Sequence, residues 1–452
     1  MATARAGLQF EWFNLLQLPL HGDVQLHSLF TMAALDALSC GVDSAVDDMV
    51  GGACEDEHLP RTRRAVEEGI AAGLHFGAQV SVFKDGVEVG DLAVGRRGPD
   101  GGPMTSDAIL PWWSSVKPCL AVLAGLAVDR GHLRSLRDPV SRYVPEFAAG
   151  GKAAITIEDV LTHAAGLVCA GAAESHRGEP WDVVVAATCG ARRRAGFDDA
   201  RRSSRVVDDE QQSSRVVGKA APEWAPIGAK NGYQMGGAFH CVAEAVRRAW
   251  PGGRSYGELL RREVFEPVGA TGCFCGVPFE MAGCGEMPAA GGGAFAGTFE
   301  LSGGSAVDDG SRSLRALLSE DPAGAGRGPA RGLAALYRRL LLDARDGDVP
   351  GRLLEAATAR RMGETVHPST FDVVQGLELD VGRAMYARPN FGGPYASPAS
   401  FGHGGSRSSF GFGDPAVGLA VGVIFDGRPD ADAHRDRCRS VMAALYEDLG
   451  LT

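Results

Sequence analysis

Ser114-Ser115-Val116-Lys117 sets a hydroxyl and an amine three residues apart. On a helix that spacing puts both side chains on one face. A seryl hydroxyl is a weak nucleophile until a base takes its proton. A lysine amine does this when burial favours its neutral form. Only Lys84, Lys117, Lys152, Lys219 and Lys230 are lysines, so one at this spacing is more telling than in a lysine-rich chain. The pattern recurs at Ser81-Val82-Phe83-Lys84. That copy lies in an alternating stretch, where strand residues three apart face opposite sides. The Ser114 copy follows the apolar run Ile109 to Trp113 and opens a helix. Its competing reading is a capping serine followed by a solvated lysine.

A second feature is Phe401-Gly402-His403-Gly404-Gly405-Ser406. Glycines let a strand approach a substrate closely, and a backbone N–H there can point at a developing oxyanion. The plainer reading is a glycine-rich hairpin with an exposed histidine. A rival nucleophile is Ser255 in Gly253-Arg254-Ser255-Tyr256-Gly257, which matches the G-x-S-x-G elbow. That elbow needs a buried strand before it. Here a helix-like stretch, Val242 to Trp250, and Pro251-Gly252 precede it. Ser255 with Glu258 reads instead as a capping box. The chain has no P-loop, no G-x-G-x-x-G in a strand–helix setting and no H-E-x-x-H, so no cofactor or metal is expected. Cys273 and Cys275 form a tight pair that nothing else in the sequence completes into a zinc site.

The elements that must position these groups belong to a chain of 452 residues with ordinary composition, 45% hydrophobic and 22% charged. A net charge of −11 argues against nucleic acid or an anionic membrane as partner. No apolar run approaches the roughly 20 residues of a membrane span. Glu11 and Asn14 interrupt the N-terminal stretch, which does not read as a secretory leader. The ten cysteines are scattered and read as reduced core residues, which with the missing leader suggests a cytoplasmic protein. Oligomeric state has no signal.

Residues 1–58 read as an N-terminal extension, with a helix near Leu26–Leu38 and an acidic stretch from Asp43 to Glu57. Residues 59–452 read as one domain. Residues 61–74 suggest an amphipathic helix. Alternation over 78–95 around Asp85-Gly86 suggests a hairpin. Residues 115–132 suggest an apolar helix ending at Gly131, and 155–163 one capped by Thr156 and Asp159. Residues 190–220, where SSRVV occurs twice, read as a disordered surface insertion. The Gly/Ala/Ser-rich stretch 283–328 reads as a long loop. Helix returns at 329–345, two strands flank Asp414-Pro415, and 431–449 make a last helix. Strands at both ends with helices between suggest one mixed sheet and a helical sub-domain of roughly 135–290.

Together these pieces resemble the serine β-lactamase and D-alanyl-D-alanine carboxypeptidase-like superfamily, on its class C and esterase side. The resemblance runs from about residue 60 to 445. It is densest over 108–167, with the SxxK helix, Asp138-Pro139-Val140, Pro145-Glu146-Phe147 and Leu161-Thr162-His163-Ala164-Ala165-Gly166-Leu167. His403-Gly404-Gly405 resembles this branch's replacement for a lysine–threonine–glycine triad. The resemblance implies an α/β fold with a mixed, mainly antiparallel sheet flanked by helices, plus a helical sub-domain, with the site between them. It implies acyl transfer through an ester on Ser114, with Lys117 deprotonating it. Backbone N–H groups of Ser114 and Ser406 would hold the oxyanion, and His403 would line the substrate strand.

The family's third motif carries a tyrosine that shuttles protons to the leaving group. The helix register puts Gly228 at that position and Lys230 at the following asparagine position. Tyr233 and Lys230 are the candidate substitutes. Two readings follow: a serine hydrolase acting on a small ester or amide, more esterase than β-lactamase, or a catalytically impaired homologue retained for binding or scaffolding.

Overall fold

The stretch around Asp85-Gly86 forms the expected hairpin, β1 (Gly77–Lys84) and β2 (Val87–Gly95). Asp85 and Gly86 both take positive φ, the turn that matches strand twist. The computed structural model describes residues 59–99, 101–167, 170–176, 178–191, 231–282, 295–302 and 305–452. The expected helix at 26–38, the acidic stretch 43–57, the repeat at 203–217, Gly228 and Lys230 lie outside these residues.

Downstream strands are β3 (Leu110–Trp113), β4 (Phe274–Cys275), β5 (Phe299–Ser302), β6 (Ser305–Asp308), β7 (Gly326–Gly328), β8 (His367–Asp372), β9 (Leu377–Val381), β10 (Tyr386–Ala387), β11 (Phe401–Gly405), β12 (Ser409–Asp414), β13 (Leu419–Phe425) and β14 (Gly427–Arg428). The main sheet has eight strands in the order β2-β1-β13-β12-β11-β10-β9-β8. Every pairing in it is antiparallel. The N-terminal hairpin therefore completes a sheet otherwise made by the end of the chain. A parallel ladder joins β14 to β5 in a small second sheet, and β3, β7 and β4 form a third.

The labelled helices are α1 (Pro60–Ala71), α2 (Lys117–Asp129), α3 (Ile157–Leu161), α4 (Trp181–Gly190), α5 (Gly237–Ala249), α6 (Ala330–Asp343) and α7 (Ala431–Asp448). Strand periodicity sorts the two faces of the sheet. Leu419, Val421, Val423 and Phe425 of β13 join Val66 of α1 and Met442, Leu445 and Tyr446 of α7 in one core. Ala420 and Ile424, between them, face Leu333 and Tyr337 of α6 in the other. With both faces covered, β13 is buried along its whole length. α2 is buried from Lys117 to Ala127, which makes it the central helix of the second core.

The expected long loop over 283–328 is corrected. Its described part holds β5, β6, a helix at Leu314–Leu318 and β7. The glycines of β7 serve packing. A Cβ on Gly326 would lie 2.4 Å from Cβ of Val116, and one on Gly328 would lie 2.8 Å from the Trp112 ring. A strand this close to Val116 and Trp112 admits no side chain at these two positions.

Candidate active site

β3 ends at Trp113, whose φ of 50° turns the chain sharply into a short 3-10 turn at Ser114–Val116 that runs straight into α2. Positive φ at a non-glycine residue is strained. It leaves Ser114 half-exposed and Lys117 buried at 1% exposure. Lys117 Nζ donates to Ser114 Oγ at 3.0 Å and to the Ala323 carbonyl at 2.7 Å. That carbonyl is fixed by the turn before it, where Ala323 N donates to Asp321 Oδ1 at 2.8 Å.

β11 is fastened to the same turn. Ser115 Oγ donates to the His403 carbonyl at 3.2 Å and lies 3.0 Å from Ser409 Oγ. Ser409 Oγ donates to the Trp112 carbonyl at 2.6 Å. Gly405 is packed so tightly that a Cβ would lie 2.1 Å from the Trp112 carbonyl oxygen. The strand then turns through Ser406 and Arg407, both at positive φ. The buried Arg428 guanidinium holds this corner, donating to Ser406 Oγ at 2.8 Å and lying 4.7 Å from the centre of the Trp113 ring. Backbone of the segments containing Ser114 and Ser406 is thereby held together.

Tyr233 reaches the site through the residues after α3. The Thr156–Asp159 capping box starts that helix as expected. Beyond its end His163 takes φ 59°. Segment 231–234 lies along this turn. Asn231 Nδ2 donates to the Thr162 carbonyl at 2.6 Å, Gly232 N to the His163 carbonyl at 3.0 Å and Gln234 N to His163 Nδ1 at 3.1 Å. The Tyr233 ring then sits 4.7 Å from Lys117 Nζ, 4.8 Å from the His163 ring and 6.1 Å from the His403 ring. Lys117 is Ser114's hydrogen-bond partner among the described residues; the Tyr233 phenol makes no such bond there.

Two buried histidines face this cluster. Burial, with a smaller contribution from nearby Lys117, holds His403 down to about 3. Burial, then Lys117 and His403, drives His163 well below its ordinary value. Both rings are therefore neutral at pH 7. His403 Nδ1 lies 2.7 Å from the Gly404 carbonyl, which requires the proton on Nδ1 and leaves Nε2 an acceptor. His163 Nδ1 accepts from Gln234, so its Nε2 carries the proton and is a donor. Neither Nε2 has a hydrogen-bond partner among the described residues. One imidazole acceptor and one imidazole donor, both buried, thus lie beside the hydroxyl–amine pair.

Ser114, Lys117, Tyr233, His403, Gly404, Gly405 and Ser406 meet here, while Lys230 lies outside the described residues. His163, Tyr386 (its ring 5.1 Å from His403), Arg428 and the Ala323 carbonyl were not read from the sequence as site groups. His163 stood inside the quoted Leu161–Leu167 run; a backbone carbonyl leaves no trace in sequence. The competing serines go elsewhere. Ser81 lies within β1. Ser255 caps the helix Tyr256–Leu260, accepting from Glu258 N, and α5 rather than a strand precedes it.

The comparisons agree with this architecture. The Beta-lactamase family model matches residues 62–445, and the chain belongs to that family of serine hydrolases. Esterase/beta-lactamase LipL of Mycobacterium tuberculosis (strain ATCC 25618 / H37Rv) is 36% identical over 97 residues, 21% of this chain and 22% of that protein. The chain spans about a third or less of the curated relatives it matches. A crystal structure of a family VIII carboxylesterase superposes with TM-score 0.64 at 22% identity, over 88% of this chain and 99% of that one. A penicillin-binding protein homologue from Caulobacter crescentus gives 0.64 at 24% identity, over 88% and 99%. At such identities the likeness is one of fold. Among the described residues no helix is long and apolar enough to cross a membrane.

Proposed function

We propose that this protein hydrolyses small carboxylic esters through an acyl-enzyme on Ser114. The observation that carries the reading is the 3.0 Å hydrogen bond between a half-exposed serine hydroxyl and a buried lysine amine. Lys117 takes the proton as Ser114 Oγ attacks the carbonyl carbon. The backbone N–H groups of Ser114 and Ser406, on segments fixed by Ser409 and Arg428, stabilise the oxyanion. Collapse breaks the bond to the leaving alcohol and forms the seryl ester. The departing alkoxide takes a proton from the cluster, and Tyr233 beside Lys117 is the residue suited to relay it. Water then cleaves the seryl ester and regenerates Ser114.

The esterase preference over β-lactam cleavage rests on a neutral His403 where a lysine would supply a fixed charge for a substrate carboxylate. LipL, by its name, covers both activities. The test is a panel of short p-nitrophenyl esters beside a chromogenic cephalosporin, run on wild type and Ser114→Ala. Turnover of esters that disappears in Ser114→Ala supports the reading. A second reading, binding without turnover, is favoured by the missing hydrogen bond between the Tyr233 phenol and Ser114. It predicts no labelling of Ser114 by a fluorophosphonate and no difference between the two proteins.

A further inference from the structure

The turn between β11 and β12 is built from residues that do not favour it. The Gly405 carbonyl accepts from Ser408 N at 2.8 Å, and the two residues between, Ser406 and Arg407, take φ of 39° and 53°. Consecutive positive φ values in a hairpin turn are ordinarily supplied by Gly, Asn or Asp. A serine–arginine pair held there needs support from its surroundings. Arg428 Nη1 donates to Ser406 Oγ at 2.8 Å, Arg437 Nη2 to the Arg407 carbonyl at 2.7 Å, and Arg407 Nη1 to the Pro429 carbonyl at 2.8 Å. Glu300 ties two of these arginines to each other. It pairs with Arg428 in the parallel ladder of β5 and β14. Its Oε1 lies 2.7 Å from Arg428 Nη2 and 3.0 Å from Arg407 Nη2, and its Oε2 lies 3.2 Å from the same Arg407 nitrogen. A carboxylate between two guanidiniums binds both and offsets their repulsion. The same strand reaches the nucleophile turn, because Thr298 Oγ1 accepts from Trp113 Nε1 at 3.2 Å.

We propose that Glu300 is a positioning residue for the oxyanion site: through Arg428 and Arg407 it holds the turn that presents the Ser406 N–H. The inference rests on the acyl-enzyme reading of Ser114. Without the carboxylate, the like charges of Arg407 and Arg428 push apart, and a serine–arginine sequence does not by itself favour positive φ. The Ser406 N–H then shifts from the line of the developing oxyanion. That charge exists only on the way to and from the tetrahedral intermediate, so the loss falls on kcat and leaves KM nearly unchanged. A donor displaced rather than deleted should cost about 10- to 100-fold in kcat, less than outright removal.

The experiment measures kcat and KM of the full-length protein on p-nitrophenyl butyrate, with reactive Ser114 counted by fluorophosphonate so that misfolded protein does not enter kcat. Glu300→Gln should lose kcat and keep KM. Asp346→Asn, which breaks an exposed ion pair with Arg360, should keep both. The second arm repeats Glu300→Gln in Arg407→Gly, where glycine takes the φ of 53° freely. There the loss in kcat should be smaller, because the turn no longer depends on the carboxylate. Should Glu300→Gln fail to fold, Glu300→Asp, which keeps the charge on a shorter arm, is measured in the same two backgrounds. Wild-type kcat in the Glu300 variant, or the same fold-loss in both backgrounds, overturns the inference alone. A wild-type protein inert to both the ester and the fluorophosphonate overturns the acyl-enzyme reading, and this inference with it.

Discussion

The Lys117 amine lies 4.7 Å from the centre of the Tyr233 ring while it donates to Ser114 Oγ. A tyrosine thus stands beside the lysine although Gly228 occupies the position where the register placed the family's tyrosine. If Tyr233 relays the proton, Tyr233→Phe keeps the ring and loses the relay. Ester turnover should fall about 10²- to 10⁴-fold, the usual worth of a general acid. Its KM should change much less than its kcat. Unchanged kcat would make Tyr233 a packing residue.

Lys117 also binds the Ala323 carbonyl, so removing its amine leaves a buried acceptor without its donor. Lys117→Met should abolish fluorophosphonate labelling of Ser114 and cost about 1–3 kcal/mol of stability. A chemical denaturation series beside the labelling gel measures both. Labelling at the wild-type rate would remove Lys117 as the base.

Gly405 is the tightest contact between β11 and the nucleophile turn. Gly405→Ala must push Cβ into the Trp112 carbonyl. The strand should retreat, separating the Ser114 and Ser406 N–H groups. Loss of about 10²-fold or more in kcat is expected, as when an oxyanion donor is removed. Gly404→Ala is the control, because a Cβ there meets its nearest atom at 3.4 Å. Equal activity of the two variants would separate Gly405 from catalysis.

The neutral histidines make stability depend on acid. His403 and His75 titrate near 3 in the fold and near 6.5 when unfolded. Their contribution is complete above pH 6.5 and is lost as pH falls from there toward 3. Each pH unit in that window costs up to about 1.4 kcal/mol per histidine. Asp426, raised to about 6 by burial, opposes this trend, so the variant comparison isolates the effect. His403→Gln should lose less stability than wild type between pH 7.5 and pH 5, measured by urea midpoints. Parallel losses would show that His403 is protonated in the native state.

The nucleophile turn was readable because it is local: four residues set Ser114 against Lys117. The hairpin at Asp85-Gly86 and the Thr156 cap were readable for the same reason. Long-range placement was not. Nothing near Tyr233 says that residues 231–234 will lie along His163, because that depends on a positive φ at a residue that is not glycine. Gly326 and Gly328 read as loop because absence of a side chain looks the same in a flexible turn and in a strand pressed against Val116 and Trp112. The hairpin β8–β9 was missed because its alternation is weak; most of its residues are exposed or half-buried.

The eight-stranded sheet also sets an order for the protein's making. Phe76 and Gly77 donate their N–H groups to Asp426, and the first of these bonds spans 350 positions. β1 has β2 beside it early, but its other edge waits for β13. On the ribosome, most of the chain emerges before that edge can be covered. Long-range strand pairing of this kind folds slowly and leaves unpaired edges exposed meanwhile. Removing β13 and α7 by an early stop codon would therefore leave the edges of β1 and β12 that face β13 unpaired, and the truncated chain should aggregate rather than persist as a smaller domain.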